Sequence, residues 1–456
     1  MTGGGPATEW VNERNSALFT DLYELTMAAS YHASGMNGPA TFDLFVRDLP
    51  RQRNFLIACG LHQALGYLET LKFDRDSIAY LRSLGLFDDE FLAFLANLSF
   101  TGDVSAVPEG EAVFAGEPLL RVSAPLIEAQ IVETFLLNCV SHQTMIASKA
   151  ARLSIACGDK SFVDFSARRD HGADAALKGA RAAFVGGAIA TSNVLAGQIY
   201  GIPVTGTMAH SYVMAFESEL DAFRSFVRDF PNNSILLIDT FDVLRGAANA
   251  VLVAEEAAVR GARIKGVRID SGDLGEMARA ARKILDEAGL TDVQIFLSGD
   301  LDEHRIWELL AEGVPVDAFG VGTQLGTSGD EPALGAVYKL VEDNGRPKIK
   351  LSTGKVTLPG RKQVYRLERK GRYERDVIAL EDEYDPPPGR ALLERVMSGG
   401  RRVRDPAPLG EARARCEHAL ASLPQRLLTL EAPTHSYDVT ISPALEELVM
   451  RVHERS

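Results

Sequence analysis

The feature of this sequence that most constrains its fold is a repeated alternation of short apolar segments and helical segments. Each apolar segment runs into polar or glycine-rich residues, and the spacing of about 23 to 40 residues is typical of βα units. The apolar segments are 161–167, 202–208, 234–240, 264–270, 293–299 and 316–322. The helical segments between them are 173–185, 212–229, 243–260, 274–288 and 302–312. Repeated βα units indicate parallel strands that are buried on both faces.

Polar or glycine residues lie at or just after the carboxyl end of each of these apolar segments. In chain order they are Arg168 and Arg169, Thr207 and His210, Asp239 and Asp242, Asp270 and Asp273, Ser298 and Asp300, and Gly322 and Thr323. A β/α barrel assembles its active site from the ends of its strands, whereas an open doubly wound sheet uses only the loops at its switch point. The sequence therefore predicts an α/β fold with an irregular β/α barrel.

Length, charge and cysteine content exclude several classes of protein. A chain of 456 residues exceeds what one hydrophobic core usually supports, so we expect two or three domains. The net charge of −14 argues against an extended nucleic-acid surface, although a few arginines suffice for a small anionic substrate. The first residues do not resemble a signal peptide and no apolar run approaches about 18 residues, so we expect no membrane association. We expect a cytoplasmic protein, because the scattered cysteines fit reduced thiols. They are Cys59, Cys139, Cys157 and Cys416.

Glycine-rich and basic segments near the strand ends indicate phosphate binding. The glycines of segment 318–326 leave backbone N–H groups exposed after the sixth strand, where barrels commonly bind phosphate. The alternative is that the glycines are needed only for a tight turn. Arg168 and Arg169 can bind phosphate or carboxylate bidentately, and the alternative is a solvated basic loop. Ser192 and Asn193 are either phosphate donors or a helix cap. No Walker A pattern occurs, so any ATP must be held in another way.

Carboxylates and one histidine indicate group-transfer chemistry at the same strand ends. Arg268, Asp270 and Asp273 flank Gly272. The carboxylates of the two aspartates could bind ribose hydroxyls or an Mg²⁺ ion that bridges a diphosphate. They could also stabilise positive charge on an anomeric carbon. A helix cap or Asx-turn is the alternative. His210 could attack a phosphoryl group, although a single histidine is more often structural. These residues alone indicate a barrel enzyme that acts on a sugar phosphate with several phosphate groups.

A set of longer motifs occurs in order along most of the chain. They are TDLYELTM (20–27), FDLFVR (42–47), SARRDHGADAALKGARAAFVGGAIATSNVLAG (166–197), GTMAHS (206–211), GVRIDSGDL (266–274), FGVGTQL (319–325) and KVTLPGRKQVYR (355–366). Together they resemble the nicotinate phosphoribosyltransferases. The chain departs from the usual family pattern at Ser166-Ala167, where Gly-Thr is usual, and at Asp170-His171, where Ala-Gln is usual. Both arginines between these positions are kept.

The resemblance implies a type II phosphoribosyltransferase fold, with an N-terminal α/β sandwich domain, an irregular α/β barrel and a small C-terminal extension. We expect a flexible tail at 1–15, the sandwich domain at 16–130 and the barrel at 131–337. A C-terminal β-meander and helical extension at 338–456 would pack on the N-terminal domain. The resemblance also implies a homodimer whose active sites are completed by the partner subunit.

The implied reaction joins nicotinate to phosphoribosyl pyrophosphate and forms nicotinate mononucleotide and pyrophosphate in NAD salvage. ATP is expected as a co-substrate whose hydrolysis is coupled through a phosphohistidine. Mg²⁺ is expected as a cofactor that is carried with the diphosphate, near Asp270 and Asp273. Two alternatives stay open: a phosphoribosyltransferase for nicotinamide or quinolinate, and a non-catalytic nucleotide-binding regulator with the same fold.

The resemblance also implies roles for individual residues. His210 would be the phosphorylated residue and would form the catalytic group with Asp270 and Asp273. Tyr23 from the partner subunit and Phe165 would lie on opposite faces of the pyridine ring. Thr207 would lie against nicotinate, and Arg168 would contact the nucleotide phosphate or the carboxylate. Arg268 and Asp270 would border the ring and the ribose. The implied contacts of the 5-phosphate are Ser192, Gly322 and Thr323, and Arg169 and Ser211 are also expected to bind substrate.

Overall fold

The computed structural model describes residues 10–350, 357–405, 407–431 and 436–454. The chain forms two compact units, the first from residues 1–145 and 333–456 and the second from residues 146–332. Most of the tail expected at 1–15, namely residues 1–9, lies outside the described residues. Residues 355 and 356 of the motif KVTLPGRKQVYR also lie outside them. Within the described ranges, no helix is both long and apolar enough to cross a membrane.

The first unit begins with a mixed run of helices and short strands. Its elements are α1 (Leu22–Ala33), β1 (Pro39–Val46), β2 (Leu56–Ile57), α2 (Leu61–Thr70), α3 (Arg75–Ser83), α4 (Asp89–Ala96), β3 (Asp103–Ala106), β4 (Ala112–Val113), β5 (Pro118–Pro125), α5 (Leu126–Ile131) and α6 (Glu133–Cys157), after a 3₁₀ turn at Ser16–Leu18. Helix α6 continues into the second unit. Asp74 and Asp88 begin α3 and α4, because each carboxylate accepts a hydrogen bond from a backbone N–H of the first turn.

The second unit is built around one parallel sheet. Its elements are β6 (Ser161–Asp164), α7 (Ala173–Val185), α8 (Val194–Tyr200), α9 (His210–Met214), α10 (Glu219–Asp229), β7 (Ile235–Leu237), α11 (Val243–Val259), β8 (Gly266–Ile269), α12 (Leu274–Glu287), β9 (Gln294–Leu297), α13 (Glu303–Ala311), β10 (Ala318–Val321) and α14 (Thr323–Gly326). The strands are paired in the order β6-β10-β9-β8-β7. Leu236, Ile295 and Val321 are fully buried, as expected for parallel strands covered on both faces. The βα alternation predicted from the sequence is confirmed at these strands.

Two isolated parallel bridges extend this sheet beyond β6. Thr191 pairs with Asp164, and Val204 pairs with Thr191. The strand predicted at 202–208 is therefore wrong, because only Val204 is bridged; Pro203 beside it has no N–H group to donate. In the part of the chain that the structure describes, no strand pairing joins this edge to β7. The fold is mixed α/β, and a closed barrel is not confirmed.

Side-chain caps fix the starts of the helices that follow the strands. Asp242, Asp273 and Asp302 accept hydrogen bonds from the first turns of α11, α12 and α13. Ser218 caps α10 in the same way, and this cap divides the helix predicted at 212–229 into α9 and α10. Because the caps fix where the helices begin, they also fix the short loops at the carboxyl ends of the strands.

The chain then returns to the first unit. Its elements there are β11 (Ala336–Asp343), β12 (Arg346–Pro347), β13 (Lys362–Arg369), β14 (Arg372–Leu380), β15 (Arg390–Ala391), β16 (Glu394–Ser398), β17 (Arg401–Arg402), α15 (Leu409–Ser422), β18 (Val439–Ile441) and α16 (Pro443–His453), with a 3₁₀ turn at Gln425–Leu427. The strands of this unit form a seven-stranded sheet in the order β12-β11-β1-β5-β3-β16-β17, a four-stranded sheet in the order β15-β13-β14-β18, and the pair β2-β4. Leu44, Val122 and Tyr338 belong to one buried core, so the two ends of the chain fold together in this unit.

Candidate active site

The candidate active site lies at the carboxyl edge of the parallel sheet in the second unit. Phe165 follows β6, Asp270 follows β8, Ser298 follows β9 and Gly322 follows β10, and Asp239 lies two residues after β7. Parallel strands all end at one edge of a sheet, so residues that are far apart in the sequence meet there. This edge is where α/β sheets bind their ligands.

Arg268 in β8 links three of the residues identified from the sequence. Its Nη1 donates a hydrogen bond to Thr207 Oγ1 at 2.7 Å, and its Nη2 lies 3.7 Å from Asp270 Oδ1. Its guanidinium carbon lies 5.9 Å from the centre of the Phe165 ring. The Nε atom of Arg268 is buried and has no hydrogen-bond partner among the described residues. Arg268 therefore keeps an unused donor beside an aromatic ring.

The environment of Arg268 favours an anionic ligand. Burial lowers the pKa of Arg268 below its usual value, the carboxylates of Asp270 and Asp239 oppose this shift, and the Arg168 guanidinium adds to it. Arginine still stays protonated at neutral pH. A cation that has lost part of its hydration interacts more strongly with an anion than a fully hydrated one does.

His210 lies at the start of α9, next to two polar side chains. Its Nδ1 is 3.1 Å from Thr240 Oγ1, and its Nε2 is 3.9 Å from Asp270 Oδ2. The Thr240 hydroxyl can donate or accept, so it can bond either neutral tautomer. The side chain of His210 is 39% exposed. It is therefore both oriented and accessible, as a nucleophile needs to be.

Asp239 and Asp270 form a carboxylate pair that is held by hydrogen bonds. Asp239 Oδ2 accepts hydrogen bonds from the backbone N–H of Asp270 at 2.9 Å and from Ser271 Oγ at 2.6 Å. Ser298 Oγ donates to Asp270 Oδ1 at 2.5 Å. Asp239 Oδ1 is buried and has no hydrogen-bond partner in the described part of the chain. The pair is fixed in place and keeps carboxylate oxygens that ribose hydroxyls or a hydrated cation could use.

A buried carboxylate organises the turn after β6. Asp164 is 1% exposed and accepts hydrogen bonds from Ser166 N at 2.9 Å, from Ser166 Oγ at 2.6 Å and from Thr191 Oγ1 at 2.7 Å. Arg168 and Arg169 follow in the same turn, and both are exposed. Asp164 therefore fixes the backbone from which the two arginines extend.

Close packing explains two glycines near β10. A Cβ atom on Gly320 would lie 2.5 Å from ring carbons of Phe165, and a Cβ atom on Gly326 would lie 1.7 Å from Asp170 Oδ1. Only glycine allows this ring and this carboxyl to approach the backbone so closely. Gly322 lies between them, directly before α14. The predicted phosphate turn therefore follows a tightly packed strand end.

Other residues identified from the sequence lie near this edge without a hydrogen bond to the cluster among the described residues. Asp273 Oδ1 accepts a hydrogen bond from the first turn of α12, at Glu276 N and 3.0 Å, so this carboxylate is used as a helix cap. The backbone N–H of Ser192 donates to the Asp164 carbonyl at 2.9 Å. Ser211 and Thr323 are exposed. These positions are accessible to a ligand but are not tied to Arg268.

Tyr23 lies in α1, in the first unit, and is 47% exposed. Burial raises the pKa of Tyr23 above its usual value, and the carboxylates of Glu133 and Glu24 raise it further. The phenol is therefore neutral at physiological pH. Its ring is available at the surface of this unit.

Several residues of the cluster received no role from the sequence. Asp239 and Ser298 were identified as polar residues at predicted strand ends, but without a specific role. Thr240 follows the same strand as Asp239 and could have been found in the same way. Asp164 ends β6, but its bond to Thr191 joins two segments whose approach is visible only in three dimensions.

Comparison with protein families gives matches along most of the chain. Residues 18–141 match the nicotinate phosphoribosyltransferase N-terminal domain, residues 160–364 match the nicotinate phosphoribosyltransferase family, and residues 389–449 match the nicotinate phosphoribosyltransferase C-terminal domain. The middle match contains the whole cluster around Arg268.

Individual relatives agree with these matches. A nicotinate phosphoribosyltransferase of Mycobacterium tuberculosis is 48% identical over 433 residues, which cover 95% of this chain and 93% of the relative. A nicotinate phosphoribosyltransferase of Bacillus subtilis is 47% identical over 379 residues, which cover 80% of this chain and 76% of the relative. The crystal structure of human nicotinic acid phosphoribosyltransferase superposes with a TM-score of 0.86 at 31% identity and covers 95% of this chain and 99% of its own. This chain therefore belongs to the nicotinate phosphoribosyltransferase family of pentosyltransferase enzymes.

Proposed function

We propose that this enzyme transfers the 5-phosphoribosyl group of phosphoribosyl pyrophosphate to nicotinate, forming nicotinate mononucleotide and pyrophosphate for NAD biosynthesis. The observation that carries the proposal is the cluster of Phe165, Thr207, His210, Arg268 and Asp270 at one sheet edge. It combines an aromatic face and a cationic donor with a carboxylate and an accessible histidine. We place the reaction in the cytoplasm, which suits a chain whose cysteines are all free thiols.

Arg268 and Phe165 would hold nicotinate. The unused Nε of Arg268 is suited to the nicotinate carboxylate, and the ring of Phe165 would pack against the pyridine ring. Thr207 already accepts a hydrogen bond from Arg268, which limits rotation of the guanidinium group. Hydrogen bonds to charged groups contribute roughly 1.5–3 kcal/mol. Nicotinamide would lose that charge, so this site should favour nicotinate.

In the transfer step, the pyridine nitrogen of nicotinate forms a bond to the anomeric carbon of the ribose. The bond from that carbon to the pyrophosphate oxygen breaks, and its electron pair leaves with pyrophosphate. Positive charge develops on the ribosyl group, and the Asp270 carboxylate, held by Ser298, would stabilise it. Arg168 and Arg169 would offset negative charge on the phosphate groups.

The residues present fit a magnesium ion that is carried by the diphosphate. Mg²⁺ usually binds one or two carboxylates together with substrate phosphates and water. Asp239 and Asp270 would hold it, since Asp239 has a buried oxygen with no hydrogen-bond partner among the described residues. Asp273, also identified from the sequence, has one oxygen engaged as the cap of α12. When bound, the ion would neutralise charge on the leaving pyrophosphate.

Coupling to ATP would act through His210. An imidazole nitrogen forms a bond to the γ-phosphorus of ATP, and the bond to the bridging oxygen breaks as ADP leaves with the electron pair. The proton on the other ring nitrogen is lost to a neighbouring base, and water later hydrolyses the phosphohistidine. Thr240 orients the imidazole for this exchange, and the Asp270 carboxylate lies 3.9 Å from its Nε2. The negative charge of phosphohistidine would strengthen binding of the magnesium complex of phosphoribosyl pyrophosphate.

The test measures nicotinate mononucleotide, pyrophosphate and ADP after the purified protein meets nicotinate, phosphoribosyl pyrophosphate and Mg²⁺, with and without ATP. Product that rises with ATP, together with ADP, supports both the reaction and the coupling. The variant His210→Ala should lose stimulation by ATP and keep some basal transfer; stimulation that persists would contradict the phosphohistidine. Product from nicotinamide or quinolinate alone would overturn the substrate assignment. The absence of product from all three would favour a regulator.

We also propose a homodimer in which Tyr23 reaches the site of the partner subunit. Leu22 beside it is 51% exposed and Phe19 is 37% exposed, and neighbouring exposed apolar side chains are typical of interaction surfaces. Mixed dimers of Tyr23→Ala and Phe165→Ala chains provide the test. In each mixed dimer, one site combines the intact Phe165 of one chain with the intact Tyr23 of the other and is therefore complete. Co-expression should give more activity than the two variants added after separate purification. Equal activity would refute a shared site.

A further inference from the structure

The first unit contains a cleft of about 550 Å³ that takes no part in the proposed transfer. This volume lies within the range of small-molecule sites, about 300–1,000 Å³. The cleft is built from the segment before β4, from β13 and β15, and from α15. Its charged and polar lining consists of Glu111, Arg366, Glu368, Arg390, Arg415 and His418.

Arg366 forms a rigid and electrically balanced part of the cleft wall. It is 0% exposed, and its Nε donates to Asp376 Oδ1 at 3.0 Å while its Nη2 donates to Asp376 Oδ2 at 2.6 Å. Its Nη1 donates to Glu111 Oε1 at 2.8 Å, and its guanidinium carbon lies 4.4 Å from the centre of the Tyr373 ring. Arg366 is therefore fixed in place and its charge is compensated.

Two other arginines of the cleft retain unused donors. Arg390 Nη2 lies 2.9 Å from Glu111 Oε2 and Arg390 Nε lies 3.5 Å from Glu368 Oε1, and its Nη1 donates no hydrogen bond in the described part of the chain. Arg415 Nη1 donates to the backbone oxygen of Glu109 at 2.6 Å. Within the described ranges, Arg415 forms no ion pair. Its charge is therefore uncompensated although the side chain is half-buried.

We propose that this cleft binds a small molecule through a phosphate group held between Arg390 and Arg415. The two guanidinium groups belong to different elements, β15 and α15. A tetrahedral phosphate accepts hydrogen bonds from donors on different sides, whereas a planar carboxylate pairs best with one guanidinium edge. His418 lies one turn further along α15 and offers an additional donor. The inference does not depend on the transferase reaction, because the cleft belongs to the first unit and the cluster around Arg268 belongs to the second.

The test is arginine labelling of the full-length protein with phenylglyoxal, read by peptide mass spectrometry. Inorganic phosphate is the probe, and chloride at equal ionic strength is the reference. At ten times the dissociation constant, labelling of Arg415 should slow about tenfold, because only about one site in eleven is then free. Arg413 on the same helix pairs with Glu417 and serves as an internal control, so its labelling should not respond to phosphate.

Three outcomes would overturn the proposal. The first is an Arg415 labelling rate that phosphate leaves unchanged, and the second is equal protection by acetate, which would indicate nonspecific screening. The third comes from the variant Arg390→Gln, which removes half of the site. It should require at least about tenfold more phosphate for the same protection, since it loses a hydrogen bond to a charged group; equal protection would contradict a shared site. Arg413→Gln is the matched control and should behave like the wild type.

Discussion

Replacement of Gly320 by alanine should weaken the binding of nicotinate in particular. The new Cβ atom would lie 2.5 Å from Cδ2 and Cε2 of Phe165 and 3.3 Å from Ser298 Cβ. Non-bonded carbon atoms prefer a separation of about 3.5–4.0 Å, so the ring must move by roughly 1 Å. The backbone of strand β10 cannot easily move, because it is paired with β6 and β9. The partly exposed side chain of Phe165 is the group that can move.

The size of the effect follows from the contact that is lost. Phe165 is proposed to pack against nicotinate, and aromatic pairs contribute about 0.5–1.5 kcal/mol beyond the area that they bury. Since about 1.4 kcal/mol corresponds to a factor of ten, KM for nicotinate should rise about two- to twelvefold. Arg268 keeps its contact with the nicotinate carboxylate, so binding should not be abolished. KM for phosphoribosyl pyrophosphate should change less, because the proposed phosphate contacts do not involve this ring.

Steady-state kinetics with each substrate varied in turn measures both KM values. Gly335→Ala is the control, because a Cβ atom there would meet nothing within 4 Å. It should leave both values unchanged, and urea unfolding should show that both variants are folded. An unchanged KM for nicotinate in Gly320→Ala, or an equal rise for both substrates, would refute the role of Phe165 as the ring contact.

Two further predictions concern buried charges outside the site. Lys149→Met should lower the free energy of unfolding by about 3 kcal/mol, because Lys149 Nζ lies 2.5 Å from Oε2 of the buried Glu303 and 2.8 Å from Oδ1 of the partly buried Asp330, and its loss leaves Arg152 as the remaining cation beside Glu303; a loss below about 1 kcal/mol in urea would contradict this. Glu117→Gln should make stability less sensitive to rising pH. Burial and the Asp376 carboxylate hold the pKa of Glu117 well above its usual value, so the stability that its neutral form provides is lost as pH rises through the folded-state pKa. Urea unfolding between about pH 5 and pH 9 should show the wild type losing more stability than the variant, and parallel curves would refute the shift.

The sequence predicted the parallel strands well because their apolar character and their spacing are local properties. The prediction of strands and helices from the sequence failed where local preferences compete with tertiary contacts. The segment 202–208 is apolar enough for a strand, yet Pro203 limits its pairing to a single bridge at Val204. The segment 212–229 has helical periodicity, yet the cap at Ser218 starts a new helix. Closure of the sheet depends on contacts between distant segments, which periodicity does not encode.

The site was predictable to the extent that its residues stand at strand ends. That rule identified Arg268, Asp270 and His210, which lie within contact distance of one another or of shared partners. It gave no reason to connect Thr207 with Arg268, because the bond between them spans segments that are distant in the sequence. Asp273 shows the opposite limit: a strand-end carboxylate can also be a helix cap, and spacing alone does not distinguish the two uses.

Asp170 lies in the turn that carries the paired arginines and has an unusual environment. Its Oδ2 lies 3.1 Å from Ser166 Oγ, a hydroxyl that also lies 2.6 Å from Asp164 Oδ1, and its Oδ1 is buried against Gly326 without a hydrogen-bond partner among the described residues. Burial is the main cause that raises the pKa of Asp170 to about 6, and the Asp164 charge adds to it. The Ser166 hydrogen bond and His171 act in the opposite direction.

The sign of the resulting pH dependence can be worked out from these values. The folded-state pKa of about 6 lies above the ordinary value of 3.8, so the stability that neutral Asp170 provides is complete below about 3.8 and is lost as pH rises through about 6. Asp170→Asn keeps the shape and stays neutral. In urea unfolding, its stability relative to the wild type should therefore increase between about pH 4 and pH 6 and level off above about pH 7. His171→Gln is the control, because its neighbouring charge opposes the shift and its loss should leave the dependence in place. A stability difference between Asp170→Asn and the wild type that stays constant over this range would show that Asp170 ionises as it does in the unfolded chain.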